Sequence, residues 1–176
     1  ILGIQSKMNL NYTGYILGFK CLRVYNCELI SHKVHTTNTQ NGFIAGKTNA
    51  RYLDAFSSTV KIGEAGPGAT GGFDLNTVSL TGNSYLIFAY RSMVDFYVLD
   101  EGGPPGPLTM GIFASHGSNI RLINKSASVP YVLECGTTSF SSNSFILATN
   151  NSQIVFDNIS INDGADADRV SIGCYH

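Results

Sequence analysis

The chain has 176 residues, enough for one domain with a packed core. Its 11 basic and 12 acidic residues give a net charge of −1, too sparse and too balanced for an electrostatic nucleic-acid binder or a polybasic membrane anchor. In place of charge stand 19 Gly, 18 Ser, 13 Thr and 15 Asn, residues of turns and strand faces and poor helix formers. The composition predicts an all-β protein with many corners and a surface of neutral hydrogen-bonding groups, a surface that suits sugars.

Residues 1–48 read as strands with polar corners: 15–19, 21–24 and 29–35, with a turn over 36–41. Asn49 is placed to cap a short helix over 49–56, the one helix the sequence predicts. A strand at 60–62 precedes a Gly-rich stretch at 63–72, and 73–80 alternates again. Residues 85–90 are apolar on both faces, which means a strand sandwiched in a core or lying at a subunit interface; 93–99 continues it. The run Asp100-Glu101-Gly102-Gly103-Pro104-Pro105-Gly106-Pro107 holds nothing regular. It is a loop within one domain spanning 1–176, or it subdivides that domain at 99–111. From 111 to 161 short strands follow closely with Ser and Asn corners.

One pattern recurs: apolar, any, apolar, any, Asn. It reads Leu22-Arg23-Val24-Tyr25-Asn26, Ile120-Arg121-Leu122-Ile123-Asn124 and Ile154-Val155-Phe156-Asp157-Asn158, with weaker copies at 78–82 and 145–150. A strand closed by Asn, which tolerates a left-handed bend, predicts a solenoid of stacked parallel strands. The step from Ile120 to Ile154 is longer than a regular coil of about 20–30 residues, so an insertion or a split coil is expected there. Asn41-Gly42 is the one Asn-Gly pair, and this scarcity of hairpin turns favours coils over antiparallel hairpins.

The longest uncharged apolar run, 85–90, falls far short of the roughly 20 residues that span a bilayer. With Ile1 first and no leader pattern, the chain reads as a processed product or a fragment. Cys21, Cys27, Cys135 and Cys174 permit two disulfides but show no C-x-x-C spacing, and they read as buried free thiols. Sequons at Asn11, Asn124, Asn150 and Asn158 are close to the number chance would give.

No cofactor and no metal are expected. Gly66-Pro67-Gly68-Ala69-Thr70-Gly71 matches a dinucleotide fingerprint in spelling, yet leads into a strand-like segment where a helix N-terminus is needed. His32 and His35 face opposite sides of a strand, and His116 and His176 stand alone. The acidic loop 163–168 lacks the spacing of a calcium loop. Glycoside cleavage needs two carboxylates across the sugar bond, about 5 Å apart for retention and wider for inversion. The candidate acids are Asp95, Asp100 and Glu101, with Glu64 and Asp54 behind them. Tyr90, Arg91 and Tyr97 are their neighbours and candidate sugar-binding residues. No G-x-S-x-G elbow supports a serine triad.

The segments Ser118-Asn119-Ile120-Arg121-Leu122-Ile123-Asn124 and Ser152-Gln153-Ile154-Val155-Phe156-Asp157-Asn158 look like coils of the pectin-lyase-like right-handed parallel β-helix superfamily. Low charge, absent Trp and Ser/Asn/Gly richness make the chain resemble part of a bacteriophage tailspike most of all. Ser171-Ile172-Gly173 is similar to a polygalacturonase element, but the preceding His-Gly is missing, so no catalytic residue is carried over. The resemblance implies a homotrimer, on a virion tail or extracellular, that binds bacterial surface polysaccharide during host attachment. Such proteins often act as glycoside hydrolases or polysaccharide lyases, with the groove on the outer face of the coils or between subunits. The alternative architecture is a β-sandwich or jelly roll serving as a non-enzymatic carbohydrate-binding or virion attachment module. A third reading is a monomeric, secreted, pectinase-like enzyme.

Overall fold

The computed structural model describes residues 2–12, 16–17, 22–33, 43–44, 51–64, 85–98, 111–124, 131–134, 144–162 and 170–175. Among them the protein is all-β, and every strand pairing is parallel. A sandwich or jelly roll would pair its strands antiparallel. Strands are numbered in chain order. Sheet A stacks β1 (Leu2–Ile4), β4 (Leu22–Tyr25), β7 (Arg51–Phe56), β9 (Tyr85–Tyr90), β11 (Gly111–Ser115), β14 (Ser144–Thr149) and β17 (Val170–Tyr175). Sheet B stacks β2 (Lys7–Tyr12), β5 (Glu28–Lys33), β8 (Thr59–Glu64), β10 (Met93–Val98), β12 (Asn119–Asn124) and β15 (Gln153–Asp157). Two short pairs, β3 (Ile16–Leu17) with β6 (Phe43–Ile44) and β13 (Tyr131–Glu134) with β16 (Ile159–Asn162), complete the set.

Spatial order follows sequence order in both large sheets. From β1 to β15, each sheet A strand crosses a short corner into a sheet B strand, and each such unit pairs with the unit before and the unit after it. The alternation of the sequence decides which side chains face inward. From sheet A, Leu53, Ile87, Ile112 and Ile146 lie in one register row, and Val24, Ala55, Ala89, Ala114 and Ala148 in a second. From sheet B, Leu29, Val60, Val94 and Ile120 form one row and Ile62, Phe96 and Leu122 the next. All of these are buried. Each large aliphatic or aromatic side chain so placed contributes about 1.5–3 kcal/mol, which makes the stacked rows the main source of stability. Rows fade at one end: Ile154 and Phe156 are only partly covered, and Ile172 is 68% exposed.

The structure corrects the sequence reading in four places. Residues 51–56 are strand β7, not a helix. Asp54 sits opposite Arg23 in the register of β4 and β7, and its Oδ2 accepts from Arg23 Nε and Nη2 at 3.0 and 2.9 Å. That cross-strand pair and the burial of Leu53 and Ala55 override a weak local preference for helix. The Ile120-to-Ile154 step is one whole unit, because β12 and β15 are direct partners. The three strand-Asn copies also occupy two different places: residues 22–26 lie on sheet A, and the other two on sheet B. Cys27 is a buried free thiol, as the sequence suggested, but Cys174 is exposed and free; Cys21 and Cys135 lie outside the described residues. So do the 66–71 glycine run, the 73–80 strand, the loop 100–107 and the acidic loop 163–168. In the two-sided strand β9, Ile87 and Ala89 enter the core, Leu86 is also buried, and Phe88 and Tyr90 are half-buried.

Candidate functional site: the corner between the sheets

The corner between sheets A and B is the most regular feature of the molecule. Its first residue is left-handed in every unit: Gln5, Asn26, Ser57, Arg91, His116 and Asn150 have φ between 49° and 56°. That conformation turns the chain from one sheet to the other without breaking the backbone ladder. Gln5, Asn26, Ser57 and Arg91 each donate N–H to the last sheet A carbonyl of the next unit, at 2.9–3.1 Å. A short inward side chain follows, at once in Cys27, Ser58 and Ser92 and after one further residue in Ser118 and Ser152, while Ser6 holds the matching place at the exposed end.

These inward residues form a hydrogen-bonded ladder. Cys27 N–H donates to Ser58 Oγ at 3.0 Å, Ser58 N–H to Ser92 Oγ at 3.1 Å, Ser92 N–H to Ser118 Oγ at 3.1 Å, and Ser118 N–H to Ser152 Oγ at 3.0 Å. Hydroxyls of Ser58, Ser92 and Ser118 donate in turn to the carbonyls of Phe56, Tyr90 and Ser115 at 2.7, 2.9 and 2.6 Å. A buried N–H left without an acceptor would cost about 1–3 kcal/mol, so the ladder resolves the polar cost of a sharp buried bend. Cys27 holds the same place with Sγ 3.1 Å from the Tyr25 carbonyl.

On the outside, a row of rings ends the sheet A strands. Tyr25 stacks on Phe56 with centroids 4.8 Å apart and planes 9° from parallel, and Phe56 meets Tyr90 at 6.3 Å. The Tyr25–Phe56 spacing is close to the interstrand distance of about 4.8 Å, and parallel register sets all three rings side by side, with Phe56 and Tyr90 tilted by 41°. A second pair, Phe88 and Phe113, stacks at 5.1 Å in the adjoining row. Tyr90 carries the Arg91 guanidinium 5.3 Å from its ring centroid, and the His116 ring lies 4.4 Å away. Arg91, His116 and Asn150 are exposed.

Between the last two corners lies a polar cluster. Ser115 Oγ is 2.6 Å from His116 Nδ1, Thr149 Oγ1 donates to Ser115 Oγ at 3.0 Å, and Asn150 Nδ2 lies 3.4 Å from Ser115 Oγ and 3.5 Å from His116 Nδ1. Ser115 itself is 4% exposed, which withholds its hydroxyl from a polymeric substrate.

The residues singled out from sequence divide between two faces. Tyr90 and Arg91 belong to the corner; Asp95 and Tyr97 lie across it on β10, with alternate-residue spacing on the outer face of sheet B. Asp95 faces Arg121 in register, and the guanidinium takes both carboxylate oxygens at 2.7 Å. That hydrogen-bonded carboxylate, with its charge, holds the Arg121 guanidinium above its ordinary value. With both oxygens engaged, Asp95 is arranged as an ion-pair partner. Asp54, on sheet A, is fully buried against Arg23, and Asp100 and Glu101 lie outside the described residues. Among the described residues no group of three or more His, Cys, Asp or Glu side chains is placed to hold a metal.

His116 and Asn150 were not singled out as partners in the sequence. The signal lay in the equal spacing of Ser118-Asn119-Ile120 and Ser152-Gln153-Ile154, which places the residues before each serine side by side. Comparison of the chain with protein-family models, with curated proteins and with solved structures finds no match, so the corner is interpreted from its own geometry.

Proposed function

We propose that the chain is a segment of parallel β-helix, each strand–corner–strand unit being one coil, and that its exposed corner recognises a bacterial surface polysaccharide during host attachment, as in a tailspike. The observation that carries this reading is the corner row itself. An aromatic ring adjoins a polar left-handed residue at Tyr25-Asn26, Phe56-Ser57 and Tyr90-Arg91, and His116 and Asn150 continue the polar line. A glycan has matching chemistry, with apolar ring faces edged by hydroxyls, and repeats along its length as the corner does. Rings with a polar rim suit a ligand that is apolar on one side and wet on the other. The reading concerns binding, with any cleavage left to carboxylates other than the ion-paired Asp95. A homotrimer, on a virion tail or extracellular, belongs to the same proposal.

The test is a titration of the purified chain against a panel of bacterial capsular and O-antigen polysaccharides. Binding to at least one is expected, weakened about tenfold by Arg91→Ala, the loss of one charge-assisted hydrogen bond. A chain that binds none of the panel, or whose affinity is unchanged in both Arg91→Ala and Asn150→Ala, overturns the reading. Light scattering checks the assembly: three chains per particle are expected, and a monomer removes the trimer.

A further inference from the structure

The Ser115–His116 contact has a direction, and it bears on what the corner can bind. Neutral imidazole has one N–H donor and one bare nitrogen acceptor. Two side chains point at His116 Nδ1: the Ser115 hydroxyl at 2.6 Å and the Asn150 amide nitrogen at 3.5 Å. An amide nitrogen only donates. A proton on Nδ1 would set it against the Asn150 N–H and would reverse the Thr149–Ser115 bond, in which Thr149 Oγ1 donates to Ser115 Oγ. With Nδ1 bare, every hydrogen in the cluster has an acceptor: Thr149 donates to Ser115, and Ser115 donates to His116. The second ring nitrogen, Nε2, then carries the proton on an exposed residue.

Beside it stands Arg91, a side chain with donors and no acceptor. Arg91 is held in the left-handed region at φ 51°, a conformation that is unfavourable for a residue other than Gly or Asn. Strain of this kind persists where function or the surrounding fold demands it. The same corner position is filled elsewhere by Gln, Asn and Ser.

We propose that Ser115 is a positioning residue that fixes neutral His116 with its proton on Nε2, so that Arg91 and His116 make this stretch of the corner a donor-only recognition point for an acceptor group on the glycan. The acceptor is an oxygen that cannot donate, a carboxylate or an acetyl carbonyl. This rests on the polysaccharide reading for the identity of the ligand, while the state of the imidazole stands without it.

The experiment has two arms, both on the full chain. Imidazole nitrogen shifts of labelled protein, with His116 assigned by its loss in His116→Asn, report where the proton sits. A bare Nδ1 and a protonated Nε2 are expected in the native chain and in Ser115→Thr, and a mixture of tautomers in Ser115→Ala. A proton on Nδ1 in the native chain, or a Ser115→Ala spectrum identical to it, overturns the proposal. In the second arm the probes are hyaluronan, its carboxyl-reduced form and dextran. Retention of hyaluronan over dextran, lowered about tenfold in Ser115→Ala and restored in Ser115→Thr, is expected. Loss on carboxyl reduction assigns the carboxylate, and persistence assigns the acetyl carbonyl. Equal retention of dextran overturns the recognition role. A fixed tautomer with no polymer retained overturns the recognition role and leaves only the positioning of His116, while the polysaccharide reading itself falls only with the capsular and O-antigen panel.

Discussion

The corners of the earlier units and those of the later ones differ by a single residue, and the difference separates scaffold from candidate site. At Asn26, Ser57 and Arg91 one left-handed residue is followed at once by the inward Cys or Ser, which bonds the carbonyl two residues back. At His116-Gly117 and Asn150-Asn151 two successive residues are left-handed, with φ of 56° and 76°, then 52° and 59°. Ser118 therefore reaches the carbonyl three residues back, and the ladder bond shifts so that Gly117, not His116, donates to the Asn150 carbonyl. The inward serines stay in line in both forms, with Ser92 bonded to Ser118 as Ser58 is to Ser92. The extra residue is accommodated wholly on the outside. There the ring row gives way to Ser115, His116, Thr149 and Asn150. A rigid inner ladder thus lets the outer corner vary in composition without disturbing the sheets.

The strongest way to break this comparison is to attack the ladder where it is most enclosed. Ser92→Ala leaves the buried Ser58 N–H without its acceptor and takes one of two donors from the Tyr90 carbonyl, which keeps the Ser57 N–H, and a loss of about 2 kcal/mol is expected in a denaturant melt. Ser152→Ala, at a half-buried position nearer the open end, is expected to cost about half of that. Equal losses would show that the ladder does not depend on enclosure. Deleting Gly117 converts a two-residue corner into the one-residue form. The expected result is a folded protein about 1 kcal/mol less stable, short of the Gly117-to-Asn150 bond and of the ordered His116 tautomer; an unfolded product would contradict the equivalence of the two corners. Gly117→Ala is expected to cost up to about 1 kcal/mol through the φ of 76° alone, since an added Cβ meets nothing within 4 Å. The smallest effect, about 0.5 kcal/mol, is expected for Asp95→Asn, because Arg121 is nearly half exposed and solvent screens the pair; a loss above 2 kcal/mol would make sheet B's outer face a structural element on a par with the ladder.

The strand-and-corner plan was legible because inward rows and corner serines recur in the sequence itself. Ser118–Ile120 and Ser152–Ile154 show the same inward serine and the same strand start, and both pairings hold. The step between ladder residues varies from 26 to 34, so a search for one fixed period misjudged a complete unit as an irregular one. The helix expected over 49–56 rests on Asn49 as a cap, and nothing within that segment shows that Asp54 meets Arg23 across a strand pair. Of the candidate site, Tyr90 and Arg91 were legible as candidate sugar-binding residues beside the acids, and their cation–π contact only from the structure. The Ser115–His116–Asn150 cluster was not, since its members meet only through a pairing 34 residues apart. Asp95 was singled out as an acid near rings, and its partner Arg121 comes from the next unit.

The neighbour-only pairing of units has a consequence for how the chain acquires its structure during synthesis. Each unit finds its template in the unit made just before it, so a growing chain can add one pair of strands at a time onto an edge already formed. Among the described residues the two large sheets pair only successive units, so the entropy of each step is that of one intervening loop. The ladder serines act as a check on each addition: a newly made corner out of line by one residue finds no hydroxyl for the waiting N–H below it. The same edge-by-edge growth makes a slipped unit a seed of error for every unit above it, and the ladder would then serve as the protein's register clamp.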